Sequence, residues 1–188
     1  VLGRYFSPDI KNEIEETGLN FSEYIPKNLN VAVLFTDIVG FTKLSEKMEP
    51  NDVLELLSEY QTIMVECIFE FNGTVDKFIG DAVMANFGTP KSYGNDAQNA
   101  FDCAKKMKSM LHEWNKNRID NRQKVIEHRI GIHYGECIVG NVGGEKRVEY
   151  TVLGDTVNVA SRLCDLSKIF NNDLLISKAL YDQIEIVE

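Results

Sequence analysis

The chain has 188 residues, 44% of them hydrophobic, enough for one core of ordinary size and a tight fit for two. Its 29 acidic and 20 basic residues give a net charge of −9, which disfavours a nucleic-acid binder relying on phosphate neutralisation but not a small phosphorylated ligand held by local cations or metals. No stretch reaches the ~20 apolar residues of a membrane span, the first ten residues lack a signal-peptide pattern, and Cys67, Cys103, Cys137 and Cys164 form no CxxC pair, so they read as free thiols of a reducing cytoplasm.

"SPDIKNEIEETG" (7–18) predicts a short helix, capped by Ser7, opened by Pro8 and closed by Gly18. The chain to Pro26 reads as connector, and a beginning without its own core is expected of a piece of a longer protein. Val31 to Phe35 is an unbroken apolar run, a buried strand ending at Thr36. "PNDVLELLSEYQTIMVECIFEFNG" (50–73) repeats apolar residues at helical spacing, with Asn72-Gly73 as the stop. "TVDKFIGDAVMANFG" (74–88) predicts a hairpin turning at Gly80-Asp81. Asp96 to about Trp114 predicts a second helix, and "EHRIGIHYG" (127–135) another strand.

The order β-α-β-β-α-β is that of a ferredoxin-like unit, with helices on one face of its sheet. Beyond it, "ECIVGNV" and "RVEYTVLG" predict additional strands, 154–166 a helix, "DLLIS" a strand and the tail a short helix. The expected class is therefore α+β, a ferredoxin-like βαββαβ core with additional C-terminal strands and helices.

In this topology the first and third strands are antiparallel neighbours. Asp37 ends the first and Asp81 begins the third, so both emerge at one edge of the sheet. Two carboxylates that close repel, and a pair of hard divalent cations removes the conflict. Taken singly, Asp37 reads as the cap of a short helix starting near Gly40 and Asp81 as a turn residue; together, on this topology, the metal reading is the better one. The glycine turn at Gly40, followed by Phe41 and Thr42, presents backbone N–H groups suited to phosphate. The motifs GxxxxGK[ST] and GxGxxG are absent, which excludes a P-loop or dinucleotide fold.

"FTDIVGFTKLSE", "VDKFIGDAVMANFG", "RIGIHYGECIVGNVG" and "EYTVLGDTVNVASRL" resemble, in order, the signature blocks of the class III nucleotidyl cyclases. The resemblance runs from about Asn30 to about Tyr181. It implies a catalytic domain over 30–188, and the connector of 1–29 is similar to those that follow an upstream sensor module in bacterial members. It also implies a palm core working as a homodimer, with Asp37, Asp81 and the carbonyl of Ile38 binding two Mg²⁺ or Mn²⁺. Asn158 and Arg162 match the family's transition-state pair. Their spacing of four independently puts them on one helix face, where the amide could orient a ribose and the guanidinium neutralise an α-phosphate. Lys146 and Arg147 both offer a phosphate cation, and the planar fork favours Arg147, beside Gly40, Phe41 and Thr42.

Lys77 matches the family's purine-contacting lysine. It can only donate, which suits adenine N1 and not the protonated N1 of guanine. Thr151 stands at a second purine position where many relatives of adenylyl type carry aspartate, and its hydroxyl can accept from the 6-amino group. Such a threonine marks a subgroup often associated with bicarbonate response. The family pattern continues past Glu188 into a strand pair carrying a further phosphate lysine.

The resemblance thus implies an adenylyl cyclase: ATP as substrate, cyclic AMP and pyrophosphate as products, a cytoplasmic homodimer with an upstream regulatory domain, and neither nucleic acid nor membrane as partner of this domain. Its rivals are a guanylyl cyclase, a degenerate cyclase serving as a dimerisation or sensing module, and a two-metal phosphodiesterase or nuclease. The last usually adds histidine ligands. His112, His128 and His133 form no such cluster, since an odd offset turns 128 and 133 to opposite faces of one strand.

Overall fold

The computed structural model describes residues 27–186 except 145 and 146, together with Asn12 and Glu15. The helix expected over 7–18 thus falls outside the described residues apart from those two, which are helical and exposed.

Among the described residues from Lys27 onward, the elements in order are β1 (Lys27–Ile38), α1 (Phe41–Ser45), α2 (Pro50–Glu70), β2 (Thr74–Ile79), β3 (Ala82–Phe87), α3 (Asp96–Asp120), β4 (His128–Gly144), β5 (Arg147–Leu153), α4 (Asp155–Phe170), β6 (Leu174–Ile176) and α5 (Lys178–Tyr181). The sheet runs β2-β3-β1-β4-β5, with β6 parallel to β4. The inner order β2-β3-β1-β4, antiparallel throughout, is the ferredoxin-like arrangement the element order predicts.

β1 lies at the centre because both its faces are apolar. Ala32, Leu34 and Ile38 join the core under α2 and α3, while Val31, Val33 and Phe35 join a second core with Ala160 and Cys164 of α4. The unit's own helices cover one face as expected. The opposite face is closed by α4, a helix beyond the unit. On α2 the spacing of Leu56, Tyr60, Met64, Cys67 and Ile68 builds one fully buried stripe, each large side chain contributing about 2 kcal/mol of transfer free energy.

Two strands are longer than their apolar runs, for one reason. β1 starts at Lys27 because its first residues pair with the continuation of β4, Lys27 opposite Val139. β4 is a single strand where two were expected, because Gly135 sits within that ladder opposite Val31, and the absence of its Cβ admits the Thr156 side chain. The outer edge of β4 is shared, β6 pairing along 130–132 and β5 along 138–144.

α3 also outruns its apolar pattern. Asn115 exchanges hydrogen bonds of 2.7 and 2.9 Å with the backbone of Ile126, and Arg118 Nε donates to the Lys124 carbonyl at 2.8 Å. Polar residues bonded to the loop that follows the helix thus carry it past Trp114. All four cysteines are free and buried. Burial pushes the Cys67 thiol up to about 11 and that of Cys164 to about 12. Among the described residues, no helix is long and apolar enough to cross a membrane.

Candidate active site

The register brings Asp37 and Asp81 to the same edge. Thr36 of β1 pairs with Val83 of β3, so the next residue of β1 and the turn before β3 are neighbours. Asp81 Oδ2 accepts the backbone N–H of Ile38 at 2.9 Å, fixing the turn carboxylate on the end of β1. A buried strand can therefore carry a carboxylate next to its last residue, Ile38, whose amide is satisfied by a second carboxylate.

Asp37 has a partner the sequence reading missed. Arg129 stands opposite it on β4 and grips it with two parallel hydrogen bonds, Nε to Oδ1 at 2.9 Å and Nη2 to Oδ2 at 3.0 Å. Burial raises the pKa of Asp37, Arg129 opposes the shift, and the charges of Asp81 and Asp165 push it further up. An arginine directly before the apolar strand run of "RIGIHYG" was the available signal for this ion pair. On the other face Thr36 and Tyr60 share a 2.8 Å hydrogen bond, and Tyr60 lies 3.5 Å from Nδ1 of His128. Burial holds the His128 imidazole down at about 4, so it is neutral at pH 7. His133 instead meets Ser177 Oγ at 2.8 Å, away from His128, as the odd offset requires.

Two carboxylates and the Ile38 carbonyl make a hard-oxygen set of the kind that suits Mg²⁺ or Mn²⁺. Among the described residues there is no group of three or more His, Cys, Asp or Glu arranged to hold a metal. Ions bound at this edge would complete their shells with water and phosphate, as Mg²⁺ commonly does.

Lys77 and Thr151 lie on β2 and β5, at opposite ends of the strand order. They are linked by a residue the sequence reading passed over, Asp76. β2 carries a register shift between Val75 and Lys77, so Asp76 is the extra residue of a β-bulge and is 2% exposed. Thr151 Oγ1 lies 2.7 and 2.9 Å from its two oxygens, the Val152 N–H donates to Oδ2 at 3.1 Å, and Lys77 Nζ is 3.6 Å from Oδ1. The sheet curls until its two edges meet at this carboxylate.

Asn158 and Arg162 lie one turn apart on α4, exposed, and neither side chain hydrogen-bonds to another described residue. Gly40, at φ +66°, is the left-handed residue from which α1 starts, with Phe41 and Thr42 in its first turn. Arg147 opens β5, but its side chain, like all of Lys146, lies outside the described residues. A cleft of about 580 Å³ opens between α3, the start of β4 and the end of α4, lined by Lys108, His112, His128, Arg129 and Asp173 among others. It includes none of Lys77, Asp81, Thr151, Asn158 or Arg162. Those five residues therefore do not share this cleft of the single chain.

Fold and site together define an α+β palm with a carboxylate pair at one sheet edge and a polar triad joining its two outer strands. The chain belongs to the family described as adenylate and guanylate cyclase catalytic domain, which it matches over residues 23–183. It is 33% identical over 190 residues to adenylate cyclase 1 of Rhizobium meliloti (strain 1021), an alignment covering 92% of this chain and 29% of that protein. Among solved structures it resembles the guanylyl cyclase Cya2, at 32% identity and a TM-score of 0.78 over 85% of this chain and 80% of that one. It also resembles the adenylyl cyclase CyaB from P. aeruginosa, at 36% identity and a TM-score of 0.73 over 86% and 83%. The chain thus spans less than a third of its curated relative.

Proposed function

We propose that this domain is an adenylyl cyclase, converting ATP to 3′,5′-cyclic AMP and pyrophosphate at sites formed between two copies of the chain. The observation that carries the chemistry is the seating of Asp81 on the end of β1 beside Asp37. The likeness to Cya2 and to CyaB is of similar size, so the base must be chosen by the residues. Lys77 is a donor, and donors suit N1 of adenine.

The ribose 3′-oxygen attacks the α-phosphorus of its own nucleotide, and the bond to the β-phosphate breaks to release pyrophosphate. Asp37, Asp81 and the Ile38 carbonyl would hold two Mg²⁺ or Mn²⁺, which when bound acidify the 3′-hydroxyl and neutralise the triphosphate. Asn158 orients the ribose, and Arg162 meets the charge developing at the α-phosphate. Lys77 and Thr151 read the purine. The amides of Gly40, Phe41 and Thr42, with Arg147, receive the outer phosphates.

The dimer is supported by exposed apolar side chains on three strands, Phe78 and Ile79 on β2, Ile138 and Val142 on β4, and Leu153 on β5, each 44–53% exposed. In this reading the carboxylate pair of one copy faces Asn158 and Arg162 of the other.

The test is purified protein with Mn²⁺ and either ATP or GTP, with the cyclic product separated by chromatography. Cyclic AMP should form. Asp37→Ala and Asp81→Ala should each lower turnover about a thousandfold, since a lost ligand in a two-ion site removes about 4 kcal/mol of transition-state stabilisation. Cyclic GMP as the main product would make it a guanylyl cyclase, and no product from either nucleotide would make it a non-catalytic module.

A further inference from the structure

We infer that Asp76 is a specificity-positioning residue, which sets the hydrogen-bond polarity of Thr151 and through it the choice of the purine 6-substituent. The inference rests on the placement of Thr151 at the base site proposed above.

A threonine hydroxyl has one proton and two lone pairs, so alone it cannot tell an amino group from a carbonyl. Here the proton is committed. Thr151 Oγ1 is 2.7 Å from Asp76 Oδ1 and 2.9 Å from Oδ2. The carboxylate is already met by two groups that only donate, the Val152 N–H at 3.1 Å and the Lys77 ammonium at 3.6 Å. The hydroxyl must therefore donate to Asp76 as well, and what it turns to a base is lone pairs. A 6-amino group offers the donor they need. A 6-oxo group meets lone pair with lone pair, and a polar site rejects a mismatched partner by leaving its groups unpaired.

The same carboxylate steadies the other reader, since Lys77 is held beside it. The bulge is what allows this: it turns Asp76 inward next to Lys77 on the same strand. Thr151 is only 3% exposed, so a base that reaches its hydroxyl would meet it as the floor of the site.

Asp76→Asn reverses the polarity. The asparagine oxygen faces the Val152 N–H, a backbone donor that cannot swing away, and its NH₂ takes the Oδ1 position, 2.7 Å from Thr151 Oγ1, from which the flexible Lys77 ammonium 3.6 Å away withdraws. That NH₂ takes a lone pair of Thr151 and frees the hydroxyl proton for the base.

The experiment compares kcat/KM and nucleotide Kd for three triphosphates that share an acceptor at N1: ATP, purine riboside triphosphate with no 6-substituent, and its 6-methoxy derivative, which only accepts. Wild type should prefer ATP over purine riboside triphosphate by about tenfold, the size of one net hydrogen bond. Asp76→Asn should bring that ratio to about one and raise the 6-methoxy compound relative to both. Thr151→Val should abolish the ATP preference, and Thr151→Ser should keep it. If Thr151→Val leaves the ratio unchanged, Thr151 is not at the base site and the reading beneath this inference fails. If Thr151→Val collapses the ratio but Asp76→Asn does not, or lowers all three nucleotides equally, Asp76 is merely structural and the inference itself is overturned. Should Asp76→Asn not fold, Thr151→Asn carries the test on native Asp76. Its NH₂ goes to the carboxylate and its carbonyl to the base, so the ATP preference survives if Asp76 sets the polarity and is lost if it does not.

Discussion

Arg129 holds the carboxylate that the proposed ions need. Its guanidinium, 10% exposed, makes two parallel bonds to Asp37, 19% exposed, and supplies a counter-charge to a carboxylate that burial, Asp81 and Asp165 all push towards protonation. Removing one partner of such a pair leaves an uncompensated charge. Arg129→Gln should therefore cost the metal-free domain about 2–3 kcal/mol in urea unfolding with EDTA, scaled down because Asp37 keeps some solvent contact. Mn²⁺ should restore more stability to the variant than it adds to the wild type, because the ion replaces the lost charge and no longer competes with the guanidinium. Equal Mn²⁺ stabilisation of both proteins would mean that Arg129 and the ions do not share Asp37.

At the scale of elements, the decisive contact is α4 on β4. It depends on one residue without a side chain. A Cβ at Gly131 would lie 2.2 Å from the Cys164 backbone nitrogen, 2.6 Å from the Ala160 carbonyl oxygen and 2.8 Å from Cys164 Cα. All three are backbone atoms, so no rotamer change relieves the clash, and the helix must move off the sheet. Overpacking of this kind typically costs about 1–3 kcal/mol, and rigid neighbours put Gly131→Ala at or above the top of that range. Because α4 carries Asn158 and Arg162, cyclase activity should fall further than the folded fraction does. Denaturant melts and rates at a temperature where the variant remains folded separate the two effects. A variant with native stability would show that α4 is not seated this closely.

For the whole molecule, symmetry makes the sharpest prediction. One chain carries both the carboxylate pair and the Asn158/Arg162 pair, so a two-fold dimer would hold two equivalent sites, each drawing one pair from each copy. Asp37→Ala alone and Asn158→Ala alone should both be nearly inactive. In their heterodimer one site carries both defects and the other neither. If random exchange makes about half the dimers mixed, roughly a quarter of all sites are intact. Activity should reappear on mixing and rise with protein concentration. A mixture as inactive as its parents, under conditions where exchange is demonstrated by differently tagged copies, would place each site within one chain.

Local pattern made much of this legible. The unbroken run Val31–Phe35 declared a central strand, the periodicity of α2 declared its buried stripe, and the element order implied the pairing that sets Asp37 beside Asp81. Asn158 and Arg162 were readable as a pair because helical spacing alone puts them on one face. The rest depended on partners that spacing along the chain does not reveal. β1 reaches Lys27 and β4 runs unbroken to Gly144 because each extends the other's ladder, and no run of side chains encodes that. α3 passes Trp114 on hydrogen bonds to a loop. Arg129 and Asp76 looked like ordinary charges until the register put one opposite Asp37 and a bulge turned the other under Thr151. Spacing along a chain carries periodicity and therefore faces. Which charge meets which is decided by strand register and sheet curl, which arise only when segments far apart in sequence pack together.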